Sequence, residues 1–208
     1  MPISKDREYR NTQPIVPEER KEGAEPTYIV EGYASTFDPY LLYEWDGDQY
    51  FERIEPTAFE STDTSDIIMQ YDHAGMVMAR TSNNTLSVYT DDHGLKVRAD
   101  LSKTAQARDL YEAIAAGLIT KMSFAFTVDG EEFEEPTNTR VIQHIKKLYD
   151  VSAVSYPANP GTEIGRTARM ALDGVITARE QERLLKARRE KQLKVLELRL
   201  RTMEGEKS

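Results

Sequence analysis

Cysteine is absent from the 208-residue chain. That excludes disulfide bonds, thiolate metal ligands and a cysteine nucleophile, so covalent catalysis would fall to Ser, Thr, Lys or a carboxylate. Histidine is scarce, and His73, His93 and His144 are the three imidazoles available for acid–base work. No apolar run approaches the roughly 18 residues of a membrane span. The first 26 residues also lack an apolar stretch like the centre of a signal peptide. A soluble protein that stays in the compartment where it is made is expected. Excess positive charge is missing too: 27 Lys and Arg stand against 36 Asp and Glu, a net charge of −9. This argues against a general nucleic-acid or anionic-membrane binder.

What is present suits one substantial domain with extensions. Apolar residues make up 39% and charged residues 30%, so part of the chain is expected to stay outside a packed core. Residues 1–26 read as a flexible arm, rich in charge and interrupted by Pro14, Pro17 and Pro26. Order is expected from Thr27 to Phe37, an aromatic and β-branched strand, followed by a surface loop over residues 38–49 and a short strand at Tyr50–Ile54. Pro56–Phe59 reads as one helical turn. Ile67–Tyr71 and Val77–Thr81 read as strands, and Leu86–Thr90 and Leu95–Ala99 as a hairpin. One helix is expected after a Thr104 cap, with apolar residues at Ala107, Leu110, Tyr111, Ile114 and Leu118 and an end at Gly117.

Two further strands carry the chemistry. In Lys121–Val128, residues Met122, Phe124, Phe126 and Val128 alternate onto one face and Lys121, Ser123, Ala125 and Thr127 onto the other. An acidic loop, Glu131–Glu135, leads to a long strand or hairpin-linked pair over Arg140–Tyr156 that stops at Pro157-Ala-Asn-Pro160. Residues 176–208 hold ten basic and six acidic residues, about +4, with Leu185, Leu193, Leu196, Leu200 and Met203 on one helical stripe. A long, basic amphipathic helix is expected there.

Read singly, the candidate residues leave alternatives open. Ser123 is either a small residue on a polar strand face or a nucleophile held rigid between core residues, needing a base in reach. His73 ends a strand in Tyr71-Asp-His73, as a structural turn histidine or as that base. His93 lies in a hairpin turn and reads as solvated. His144 has the parity of Ile142 and Leu148, which allows core, edge or site. Asp150, flanked by Tyr149 and Val151, either faces solvent or has a partner. A metal site on Asp72, His73 and Asp92 lacks any specific ligand spacing.

Their order says more. Gly32-Tyr-Ala-Ser-Thr-Phe37, Arg53-Ile-Glu-Pro-Thr-Ala-Phe59, Tyr71-Asp-His73, Lys121-Met-Ser-Phe-Ala-Phe126 and Leu148-Tyr-Asp-Val-Ser-Ala-Val-Ser-Tyr-Pro-Ala-Asn-Pro160 together resemble the HK97-type phage prohead (capsid maturation) serine proteases, related in fold to herpesvirus assemblins. The resemblance spans residues 27–164. It implies Ser123 as nucleophile, His73 as general base and Asp150 as third member, with His144 as the alternative because the herpesvirus relatives use a second histidine. It also implies no metal or cofactor, and backbone amides as oxyanion donors. The chain departs from the pattern at Met78-Ala-Arg80 and at Ala125, where many members have Leu-Gly-Arg and glycine.

The expected architecture is α+β: a mainly antiparallel, closed or nearly closed β-barrel with flanking helices (residues 27–164), between the arm of residues 1–26 and a helical tail of residues 165–208. The implied function is an endopeptidase acting inside the procapsid in the host cytoplasm. Its substrates would be the scaffolding segment of the major capsid protein and the chain itself, and self-association is possible. A non-enzymatic capsid-assembly protein is the alternative.

Overall fold

The computed structural model describes residues 7–18, 27–45 and 47–155, with residues 185–186, 188–189 and 191–194 towards the C-terminal end. Ten strands form one mixed sheet: β1 Glu8–Pro17, β2 Ile29–Thr36, β3 Tyr40–Trp45, β4 Asp48–Ile54, β5 Ile68–Tyr71, β6 Ala74–Arg80, β7 Leu86–Thr90, β8 Gly94–Asp100, β9 Lys121–Glu134 and β10 Thr139–Val154. The order along it is β3-β4-β10-β9-β1-β2-β8-β7, with β5 and β6 branching from β10. The helix α1, Ala105–Ala115, begins where expected: Thr104 accepts the Ala107 N–H at 3.1 Å, and Ala107, Leu110, Tyr111 and Ile114 are buried. Gly117, at φ 72°, ends it.

The sheet is not a closed barrel. Among the described residues its end strands β3 and β7 do not pair with each other, and two of its pairings are parallel. The reason lies in β10. Its 16 residues accept β4 along residues 139–142 and β5 at residues 150 and 153, so the sheet branches instead of closing. Of the expected C-terminal helix, the described positions in 185–194 are helical, and the rest of the tail and Pro157–Pro160 lie outside the described residues.

Three segments read as loop or arm are strands. Residues 38–49 form most of the β3–β4 hairpin, where Trp45 pairs with Asp48 and Gly47 takes φ 86° in the connection. The acidic run Glu131–Glu134 continues β9. The supposed arm contributes β1, inserted between β9 and β2. Pro14 is tolerated because it sits at the register shift of β1 against β9, and Pro17 because it ends the strand.

The charges of β1 are buried, not solvated. Arg10 donates to Glu52 at 2.6 and 2.8 Å and to Glu8 at 2.6 Å. Arg140 donates to Glu8 at 2.8 and 3.0 Å, to Glu52 at 2.6 Å and to Glu131 at 2.7 Å, and Tyr40 donates its hydroxyl proton to Glu52. Burial raises the Glu52 carboxyl pKa, but Arg10 and Arg140 overcome it and hold the group down at about 2. Burial also lifts the Tyr40 phenol well above its ordinary range, and Glu52 adds to that. The cluster adjoins the apolar core, since the Arg10 guanidinium lies 5.5 Å from the Phe126 ring centroid. Opposite charges from four strands thus pin the first strand to the sheet.

Candidate active site

Strand register assembles the site before any loop is involved. On β9, Met122, Phe124 and Phe126 fill the core, and Ser123 and Ala125 point to the other face. Across the sheet, Asn11, Ser123 and Ser152 share one rung, and Tyr9, Ala125 and Asp150 the next. A slip of one residue between β9 and β10 would send the hydroxyl and the carboxylate to opposite faces.

His73 comes from the β5–β6 hairpin. Tyr71 pairs with Ala74, leaving Asp72 and His73 as a two-residue turn, and both take positive φ, 50° and 56°. A type I′ turn requires that sign at both central positions. Because β5 pairs with β10 at Asp150 and Ala153, the turn delivers the imidazole beside Asp150.

The three side chains meet. His73 Nε2 lies 2.7 Å from Ser123 Oγ, and His73 Nδ1 is hydrogen-bonded to Asp150 Oδ1. Asp150 is 2% exposed, and its Oδ1 also accepts the Ser152 hydroxyl at 2.8 Å. A carboxylate on Nδ1 keeps the proton there, so the Nε2 lone pair accepts from the serine hydroxyl. The Tyr9 ring meets His73 edge-on, centroids 4.7 Å apart. Ser123 has 0% exposure and the His73 side chain 12%, so the hydroxyl is closed off from solvent and the imidazole is the more open partner.

His144 goes elsewhere. Its Nε2 lies 2.8 Å from Ser61 Oγ and its Nδ1 is bonded to Asp129; His144 is half-buried and both partners are exposed. Six residues before Asp150 on β10, it is roughly 20 Å along the strand from the Ser123–His73 pair. His93 stays in the β7–β8 turn with its ring against Tyr33 at 4.6 Å. Asp72 spends its carboxylate on Ser155. No group of His, Asp and Glu among the described residues is arranged to hold a metal ion.

Two contributors escape a reading of the sequence alone. Ser152 has a visible signal in its parity with Asp150. Tyr9 has none, because its segment reads as an arm.

Hydroxyl, imidazole and carboxylate linked in this order define a serine hydrolase type of site. The comparisons narrow the class. The model of the caudovirus prohead serine protease family matches residues 16–174, and the chain belongs to that family. It is 30% identical to the prohead protease of Enterobacteria phage HK97 over 162 residues, 76% of this chain and 67% of that protein. No solved structure shows significant similarity to the chain. No helix among the described residues is long and apolar enough to cross a membrane.

Proposed function

We propose that the chain is the serine endopeptidase of prohead maturation, with Ser123 as nucleophile, His73 as general base and Asp150 as the residue that orients and charge-stabilises the imidazole. The observation that carries the reading is the 2.7 Å contact between Ser123 Oγ and His73 Nε2, with Asp150 on the opposite ring nitrogen. In this reaction Ser123 Oγ attacks a peptide carbonyl and its proton passes to His73 Nε2. The same proton then goes to the leaving amine, and water, deprotonated by His73, releases the acyl group. Ala125 and the core beneath it keep the surroundings of Asp150 dry, which strengthens its attraction for the imidazolium.

The substrates proposed are the scaffolding segment of the major capsid protein and the chain itself, inside the procapsid in the host cytoplasm. The basic, apolar-striped tail would tether the enzyme to a partner helix and be removed by self-cleavage. Co-expression with the capsid protein tests the first point: shortening is expected with wild type and not with Ser123→Ala or His73→Ala. Intact mass of the purified chain, wild type beside Ser123→Ala under assembly conditions, tests the second. Equal full-length masses would remove self-processing from the proposal.

A second reading, a non-catalytic assembly protein, draws on one observation: Ser123 has no exposed surface. Under the protease reading the site opens when a peptide binds. Ser123-dependent shortening of the capsid protein separates the two.

A further inference from the structure

The turn that presents His73 has an intrinsic weakness. Two-residue hairpins of this kind favour Asn-Gly or Asp-Gly; Asp72 suits the first position, but His73 at φ 56° stands where glycine is favoured. For an L-residue the left-handed region is disfavoured because Cβ crowds the following carbonyl oxygen. Something outside the turn has to hold it.

The restraint converges on Asp72, one residue before the imidazole. Its backbone N–H donates to Ala153 O at 2.9 Å. Its Oδ1 accepts the Ser155 N–H at 2.9 Å and its Oδ2 accepts the Ser155 hydroxyl at 2.5 Å. Ser155 has one hydroxyl proton and spends it on the carboxylate, so the Tyr71 hydroxyl, 2.6 Å away, donates to Ser155 Oγ. These bonds continue the attachment of the hairpin to β10 past the last strand pair, Ala153 with Tyr71.

We propose that Asp72 is a positioning residue for the reaction, clamping the His73 turn to Ser155 at the end of β10. The inference rests on the reading of Ser123 and His73 as nucleophile and base. Asp72 acts through backbone geometry alone, because its bonds go to Ala153 and Ser155 and none to Ser123 or the imidazole. Displacement of a reacting group by about 1 Å costs roughly 10²-fold in rate, so release of the turn is read directly in kcat.

The test uses the full chain and a peptide spanning a mapped capsid-protein cleavage site. Asp72→Ala lowers kcat about 10- to 100-fold, with KM changed by less than about twofold. Asp72→Asn keeps an oxygen for the Ser155 N–H and recovers part of the loss. Ser155→Ala is impaired, and the Asp72→Ala, Ser155→Ala pair is no slower than Asp72→Ala alone, as for one shared clamp. A second readout is the imidazole proton between His73 and Asp150, followed by proton NMR: sharp in wild type and broadened by exchange in Asp72→Ala and Ser155→Ala. Wild-type kcat with an unchanged resonance, or additive losses in the pair, would overturn the clamp. A wild-type chain without Ser123-dependent cleavage would instead sink the protease reading, and the resonance then decides the clamp: broadening supports it and an unchanged signal refutes it.

Discussion

Replacing Asp150 by asparagine tests how the imidazole is held. In the template Ser–His–Asp site such a change reverses the histidine tautomer, and kcat falls about 10⁴-fold. Here the same oxygen, Oδ1, accepts from both His73 and the Ser152 hydroxyl. While the Ser152 hydroxyl keeps donating there, the amide oxygen and not its NH₂ occupies that place, and the oxygen still accepts the Nδ1 proton. What Asp150→Asn removes is the negative charge. Two unit charges roughly 4 Å apart at an effective dielectric of about 20 interact by about 4 kcal/mol. At about 1.4 kcal/mol per decade, kcat falls by up to about 10³-fold. Ser152→Ala alone has a small effect. Combined with Asp150→Asn it frees the amide to flip, and kcat drops about another tenfold, towards the reversed-tautomer limit. The assay is single-turnover cleavage of a capsid-derived peptide, with KM measured beside kcat. Wild-type kcat in Asp150→Asn would refute the charge role, and a double variant no slower than Asp150→Asn would refute the part given to Ser152.

Other predictions use other parts of the molecule. His144→Ala leaves peptide cleavage within about twofold of wild type, since its bonds go to Ser61 and Asp129; a loss matching that of Asp150→Asn would return His144 to the site. The Glu52 carboxyl is held at about 2 in the folded chain against an ordinary 4.5, so its stabilisation is complete above pH 4.5 and is lost as pH falls towards 2. That is on the order of 3 kcal/mol, read as a falling denaturant midpoint in wild type, and the decline over this range flattens in Glu52→Gln. An undiminished slope in that variant would place the acid sensitivity elsewhere. Gly32→Ala would put a β-carbon 2.6 Å from the Pro14 carbonyl oxygen and force β1 from β2, lowering the thermal midpoint by several degrees; an unchanged midpoint would show that the strands yield without cost.

Much of the middle of the chain was legible from local pattern. Thr104 capping α1, the Leu86–Ala99 hairpin and the alternation of residues 121–128 depend on neighbours a few residues away, and all three appear in the structure. The β3–β4 hairpin had its own signal in Asp46-Gly47, masked by the aromatic and acidic mixture around it. The ordered motifs were also enough to point to the family. The resemblance implied Asp150 as the partner of His73 and kept His144 as the alternative; the two share a parity on β10, and the pairing of β5 with β10 brings the His73 turn to Asp150.

Strand β1 marks the boundary most clearly. Composition alone makes Glu8 and Arg10 look like solvated charges, and that is what they would be on an isolated segment. Their burial is favourable only with Glu52, 42 residues from Arg10, and Arg140, 132 residues from Glu8. Periodicity along a strand is set by adjacent residues, so the sequence by itself determined which face of β9 bears Ser123. The partners of a buried charge or of an imidazole come from distant segments, so only the tertiary structure decided where the first strand lies and which acid meets His73.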